Sequence, residues 1–166
     1  MKPLSESLVE ETWQEIDKYT DQRAKREMMQ FGKDQSNLLA FFLEFTQDLD
    51  EEAEELGVYL LFVVYRMYLK GYGKKIKKIT QKELNECFEE NGKVLESMGS
   101  AHVKFLERYA QTQIAGQPHV IRYVAEALLE STEEDEDTDP LSDEDIGYLF
   151  LLLKTAIDCL NHKTDS

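Results

Sequence analysis

Apolar side chains recur at intervals of three and four residues along most of the chain, whereas the alternating pattern of a half-buried β-strand is nearly absent. Spacing of this kind places apolar side chains along one face of an α-helix. With 166 residues, the chain is close to the usual size of one domain. We therefore predict a single all-α domain over residues 1–166, with six or seven helices in an orthogonal or bundle-like arrangement.

Capping signals indicate where the helices in the first half begin. The capping-box sequence Ser7-Leu8-Val9-Glu10 predicts a first helix, whose apolar stripe continues to about Phe31-Gly32. A second helix begins near Ser36, with Phe42 and Phe45 expected on one face and Phe41 on another. A third helix is predicted over residues 51–69. Its middle is apolar on all sides, so we expect it to be the central, most enclosed helix.

The second half of the chain carries similar signals. Thr80-Gln81-Lys82-Glu83 is another capping box and predicts a helix that reaches about Met98. An apolar face continues from Val103 to Gly116. Pro118 suits the first position of the next helix, and the acidic run after Ser142 suits the first turn of the last one.

Two segments resemble each other at an offset of 90 residues. Glu55-Leu56-Gly57-Val58-Tyr59-Leu60-Leu61 parallels Asp145-Ile146-Gly147-Tyr148-Leu149-Phe150-Leu151, and Ile16-Asp17-Lys18-Tyr19 aligns with Leu106-Glu107-Arg108-Tyr109. Between these anchors, Gln35-Ser36-Asn37-Leu38 aligns with Gln117-Pro118-His119-Val120 at an offset of 82. We predict an internal duplication with two related three-helix units, residues 7–69 and 101–161, joined by a basic linker plus helix over residues 70–99.

The net charge of −15 is unevenly distributed. Residues 1–69 carry 7 basic and 15 acidic side chains, residues 70–108 carry 9 and 6, and residues 109–166 carry 3 and 13. An acidic chain is repelled by nucleic acids and by anionic membranes, so neither is an expected partner. Only the basic middle, from Lys70 to Lys82, escapes this argument, and its charge allows it to dock against acidic parts of its own chain or of a second copy.

The first residues of the chain and its two cysteines indicate the cellular compartment. The first residues lack the apolar stretch of a secretory signal, and the longest apolar run, Leu56 to Tyr65, is about half of what a membrane span needs. Cys87 and Cys159 fall on apolar helix faces, and we expect reduced core residues; a disulfide, a metal pair or a catalytic thiol is the alternative. We predict a cytoplasmic protein that does not span a membrane.

The acidic loop over residues 132–141 is the candidate metal site. In the register of an EF-hand loop, its first, third, fifth and twelfth positions carry oxygen ligands. These are Glu133, Asp135, Asp137 and Glu144. However, Thr138 stands where the sharp turn needs glycine, and Pro140 stands where an apolar residue is usual. A solvated loop is therefore the main expectation, weak divalent-cation binding is the alternative, and no cofactor is predicted.

Tyrosines and lysines near the end of the third helix are the candidate interaction site. Three tyrosines fall on one helical stripe, where their hydroxyls can stay wet at an interface. Four lysines follow. The predicted interaction residues are Tyr65, Tyr68, Tyr72, Lys74, Lys75, Lys77 and Lys78. The alternatives are a core role for the rings and a solvated linker for the lysines, and nucleic-acid binding by stacked rings is a third reading.

Motifs of catalysis are nearly absent from the sequence. His102, His119 and His162 are isolated, and no zinc-protease, nucleophile-elbow, P-loop or dinucleotide pattern occurs. We therefore assign no catalytic residue. The leading hypothesis is a non-enzymatic interaction or regulatory protein that binds another protein or, as a homodimer, itself. The alternatives are a helical bundle that binds a small molecule or a metal, and an acidic mimic of nucleic acid.

Overall fold

The computed structural model describes residues 2–73, 76–96, 116–131 and 141–164, and for residues 94–96 it describes the backbone only. Within these ranges no residue lies in a β-strand, and the predicted all-α class is confirmed. Seven helices are described: α1 Glu6–Asp17, α2 Asp21–Asp34, α3 Ser36–Thr46, α4 Glu51–Tyr72, α5 Gln81–Glu96, α6 Pro118–Glu130 and α7 Asp143–Thr164.

The first predicted helix is wrong in its cap and in its length. The Ser5 hydroxyl, not that of Ser7, accepts the hydrogen bond from the Leu8 amide at 3.2 Å. The chain then leaves the helix at Lys18, and the Thr20 hydroxyl accepts from the Arg23 amide at 3.1 Å to begin α2. A threonine side chain that satisfies a free amide in this way starts a new helix, which is why one predicted helix is two.

The second capping box is confirmed in full. Thr80 Oγ1 accepts from the Glu83 amide at 3.2 Å, and the Glu83 carboxylate accepts from the Thr80 amide at 3.4 Å. The end of α4 is equally clear, because Gly73 has a φ of 103°, a conformation that favours glycine over residues with a side chain.

Helices α4 and α7 form the centre of the fold. Each has 22 residues, they pack against each other, and both are buried through most of their middle, as the sequence predicts for α4. Helix α1 packs against α4, and α5 packs against α7. Helices α3 and α6 pack against α4 and α7 respectively, and α2 covers α3 and α4.

Two fully buried glutamines hydrogen-bond to the backbone at the starts of two other helices. Gln35 precedes α3 and Gln117 precedes α6, with φ angles of −131° and −132°. The Gln35 side-chain oxygen accepts from the Ile79 amide at 3.0 Å, and the Gln117 oxygen accepts from the Leu4 amide at 2.9 Å. Ile79 and Leu4 each stand directly before the capping residue of a helix, so the two glutamines fix the starts of α5 and α1 in the same way.

The described helices therefore form two groups with matching contacts. Helix α1 packs against α4 and α6, while α5 packs against α7 and α3. In this packing α5, which we expected in the linker, is the counterpart of α1. The apolar face predicted from Val103 to Gly116, which includes the segment aligned with Ile16–Tyr19, lies outside the described residues except for Gly116. The duplication itself stays a prediction.

Candidate functional site

A groove of about 390 Å³ lies on the surface between α1, α4 and α6. Its floor is apolar, because Val9 of α1 and Leu60 of α4 are buried beneath it. Three aromatic side chains, one from each helix, rise from this floor. They are Trp13 of α1, Tyr59 of α4 and Tyr123 of α6.

The geometry of the aromatic side chains is held by ring packing and one hydrogen bond. The rings of Trp13 and Tyr123 are nearly parallel, at 18°, with centroids 6.5 Å apart. The Tyr59 hydroxyl donates to the Asp17 carboxylate at 2.9 Å, across from α4 to α1. Tyr59 is nonetheless 37% exposed, so its ring remains available at the groove surface.

The ionisation of the two tyrosines reflects this setting. Burial, reinforced by the hydrogen bond to Asp17 and its charge, raises the pKa of Tyr59 from 10.0 to about 12. Burial also raises the pKa of Tyr123, with further contributions from nearby Tyr59, Asp17 and Glu130. Both hydroxyls therefore remain neutral hydrogen-bonding groups throughout the physiological pH range.

The opposite group of helices carries an aromatic cluster at corresponding positions. Trp13 lies eight residues after the cap Ser5, and Phe88 lies eight residues after the cap Thr80. Tyr123 lies six residues after Gln117, and Phe41 lies six residues after Gln35. The ring pair Trp13–Tyr123 therefore corresponds to the pair Phe88–Phe41, whose centroids are 5.7 Å apart.

A single pair of corresponding positions accounts for the difference between the groove and the aromatic cluster of the other group of helices. The residue ten positions after Gln35 is Phe45, in α3, whereas the residue ten positions after Gln117 is Ala127, in α6. The Phe45 ring lies 4.8 Å from that of Phe41 and 4.7 Å from that of Phe88, so it joins both. The expectation that Phe41 points away from Phe45 is therefore wrong, since residues four apart on a helix are neighbours. No ring from the described residues fills the corresponding space at Ala127, which lines the groove.

Acidic side chains surround the groove. Five carboxylates and one guanidinium line it, together with one histidine: Glu6, Glu10, Asp17, Glu126, Glu130, Arg122 and His119. Among the ion pairs formed between described residues, none includes Glu6, Glu10, Glu126 or Glu130. The groove therefore combines an apolar and aromatic lining with an excess of negative charge.

A second groove, on the other side of α1, has a different electrostatic character. Its basic residues are already paired within the chain. Lys70 Nζ lies 3.0 Å from the Glu15 carboxylate, and Arg66 lies 3.3 Å from that of Glu27. Lys70, the first lysine of the basic stretch, therefore contacts an acidic residue of its own chain.

The predicted tyrosine stripe lies mostly inside the fold and not at its surface. Tyr65 and Tyr68 are only 2% and 0% exposed, so their rings are part of the core and not at a wet edge. The cause is the enclosure of α4 on all sides, and the Tyr68 hydroxyl donates inside the fold to Asn161. Tyr72 is half-buried, and its hydroxyl donates to the Lys2 carbonyl at 2.6 Å and accepts from Gln117.

The remaining predicted interaction residues are the four lysines. Lys77 and Lys78 are exposed, while Lys74 and Lys75 lie outside the described residues. Whether this stretch binds a partner stays a prediction, with a core role established for two of its three tyrosines.

The candidate metal ligands fall mostly outside the described residues. This applies to Glu133, Asp135 and Asp137, whereas Glu144 is exposed in the first turn of α7. Within the described ranges, no three His, Cys, Asp or Glu side chains converge as metal ligands do. Both cysteines are buried and free, as expected of core residues.

Sequence reasoning missed the groove because its parts are far apart in the chain. Trp13, Tyr59 and Tyr123 each have the spacing of an ordinary half-buried core residue. The one available signal was the alignment at an offset of 82 residues, which places Ala127 against Phe45. An alanine in place of a large ring within an otherwise similar helix indicates a local deficit of volume.

Comparisons with protein-family models, with curated proteins and with solved structures find no match to this chain. In the part of the chain that the structure describes, none of the helices has the length and apolar character required to cross a bilayer.

Proposed function

We propose that this chain is a non-enzymatic interaction protein, and that the groove between α1, α4 and α6 binds a basic, amphipathic segment of another protein. One observation carries the proposal. At the position where Phe45 fills one group of helices, the other group has Ala127, and no ring of the described residues takes that space; aromatic rings line the groove and carboxylates surround it.

The aromatic residues suit an apolar anchor and a cation together. Tryptophan and tyrosine are enriched among the residues that dominate binding energy at protein interfaces. The faces of their rings also attract Lys and Arg, by about 0.5–2 kcal/mol depending on how far the cation is desolvated. Trp13 and Tyr59 therefore fit a partner that inserts one large apolar side chain beside a basic one.

The negative charge around the groove favours a partner of positive charge. Carboxylates at an interface steer basic partners towards it and repel acidic ones, and this effect weakens with salt. The second groove lacks this property, because Glu15 and Glu27 are neutralised by the chain's own Lys70 and Arg66. The comparison favours the α1/α4/α6 groove as the binding surface.

The same comparison supports the proposed internal duplication. Corresponding caps, corresponding buried glutamines and corresponding ring pairs recur in the two groups of helices. We infer that the two copies have diverged, one retaining a filled aromatic cluster and the other an open groove.

Fluorescence provides the test, because Trp13 is the only tryptophan of the chain. The probe is a synthetic amphipathic peptide of leucine and lysine, with a leucine and glutamate peptide of the same pattern as its control. We expect the lysine peptide to give a saturable change in Trp13 emission that weakens with added salt, and the glutamate peptide to give none.

Charge-reversal variants locate the site. The double variant Glu10→Lys/Glu126→Lys changes the groove, and Glu86→Lys/Glu89→Lys makes the same charge change on exposed positions of α5. We expect the first to weaken binding of the lysine peptide at least tenfold and the second to weaken it less than threefold. Equal losses would show that the peptide responds only to net charge, and the proposal would fail.

A small-molecule-binding bundle is the second candidate function, and the size of the groove favours it. A volume of about 390 Å³ lies within the range of ligand pockets. The organic polycation spermidine is a suitable probe. Saturable binding of spermidine that excludes the lysine peptide would favour this alternative. Homodimer formation and mimicry of nucleic acid stay predictions.

A further inference from the structure

Helices α5 and α7 run antiparallel, and their polar contacts fix the register between them. Lys163 of α7 lies 2.8 Å from the Glu83 carboxylate of α5. Two turns later along α5, Asn91 donates to Thr155 at 3.3 Å. Residue 87 is midway between 83 and 91, and residue 159 is midway between 155 and 163.

This register places Cys87 of α5 directly opposite Cys159 of α7. The two backbones approach closely at this point, since the Cys159 thiol donates to the Glu83 carbonyl of α5 at 3.7 Å. That carbonyl lies one turn before Cys87. Because side chains on a helix lean towards its N-terminus, the Cys87 thiol leans towards the same carbonyl.

Both thiols are free and enclosed. Cys87 is 8% exposed and Cys159 is fully buried. Asp158, next to Cys159, is held by Asn91 at 3.0 Å and by Lys154 at 2.6 Å, so the polar groups beside the pair have partners of their own. The chain has no other cysteine, so any intramolecular disulfide must join these two.

We propose that Cys87 and Cys159 are a reversible modification site, at which an oxidant of the peroxide class forms an intramolecular disulfide between α5 and α7. The Cys87 sulfur, the more exposed of the two, attacks one oxygen of hydrogen peroxide and becomes a sulfenic acid. The O–O bond breaks, and the departing hydroxide takes up the thiol proton to leave as water. The Cys159 sulfur then attacks the sulfenic sulfur, the S–S bond forms, and a second water leaves. Two thiols lose two electrons, and one peroxide becomes two waters.

The surroundings of the pair make this reaction slow. Burial raises the pKa of Cys87 and of Cys159, and the charge of Asp158 adds to the effect at both. The thiolate is the reacting form, so little of it is present at neutral pH. We therefore expect the disulfide to form over minutes to hours under sustained oxidant, and thiols such as dithiothreitol to reverse it.

Intact-mass spectrometry tests the proposal on the full chain. After hydrogen peroxide treatment of the folded protein, we expect a monomer lighter by about two daltons, in which one peptide pair joins Cys87 to Cys159. Its unfolding midpoint should exceed that of the reduced protein, and both differences should disappear on reduction. The single variants Cys87→Ala and Cys159→Ala should gain oxygen or remain unchanged under the same treatment.

Three results would overturn the proposal. One is a wild-type monomer that gains oxygen without losing about two daltons. Another is a disulfide that joins two copies of the chain. The third is an intramolecular disulfide that forms only in denaturant, since this would show that the folded helices hold the sulfurs too far apart. Hydrogen peroxide reacts at the cysteines of α5 and α7 and not at the groove, so this test does not depend on the proposed function.

Discussion

Replacing Ala127 with phenylalanine should fill the groove as Phe45 fills the opposite group of helices. Phe45 is half-buried and contacts two rings. Complete burial of a phenylalanine is worth about 1.5–3 kcal/mol, so a half-buried ring contributes about 1 kcal/mol. Ring packing adds about 0.5–1.5 kcal/mol, and the lower helix propensity of phenylalanine removes about 0.5 kcal/mol.

We therefore expect Ala127→Phe to stabilise the fold by about 1–2 kcal/mol, which for a chain of this size raises the thermal midpoint by about 2–8 °C. The same variant should weaken binding of the lysine peptide at least tenfold. Urea unfolding and Trp13 fluorescence measure the two effects. The matched control is Ala40→Phe, at an exposed position of α3, which should bring neither change.

The reasoning fails if Ala127→Phe destabilises the fold by about 1–3 kcal/mol, the usual cost of overpacking. That result would show that the space beside Ala127 is too small for a ring. It would also fail if the variant were stable and bound the lysine peptide as well as the wild type does.

Three further outcomes follow from the contacts of the fold. Gln35→Met should lower the free energy of unfolding by about 1–3 kcal/mol in urea titrations, because the buried Ile79 amide loses its partner; a cost below about 0.5 kcal/mol would refute this. Gly57→Ala should destabilise despite a gain of about 1 kcal/mol in helix propensity, because its new Cβ would lie 2.8 Å from Leu149 and 3.0 Å from Phe42; a rise in thermal midpoint would contradict it. The raised pKa of Tyr59, about 12 in the fold, means that its neutral form stabilises the fold up to about pH 10 and that this stabilisation falls as the pH rises towards 12. Tyr59→Phe should therefore lose less stability than the wild type between pH 9 and pH 11.5 in urea titrations, and an equal loss would refute the assignment.

The sequence predicts those features that depend on neighbours along the chain. The capping box at Thr80 and the start of α6 at Pro118 were readable because cap and helix are adjacent. The break between α1 and α2 was not, because Thr20 has the spacing of the apolar stripe and its capping role depends on a turn that periodicity does not reveal.

Features that depend on helix pairing were less accessible. Tyr65 and Tyr68 were expected at a wet edge because tyrosine often takes that position, yet α4 is enclosed on every side. The apolar surroundings of these residues along α4 already indicated such enclosure. The groove depends on three helices meeting, and spacing within each helix does not show which helices meet.

The central claim is that the α1/α4/α6 groove is the surface that binds a basic partner. The most direct test is to add the unlabelled lysine peptide to the isotope-labelled chain and follow backbone amide resonances by NMR. The largest shifts should fall in α1, in α6 and around Tyr59 of α4, while amides of α3 and α5 remain in place. Shifts centred on α3 or α5, or spread evenly over the acidic surface, would contradict the claim.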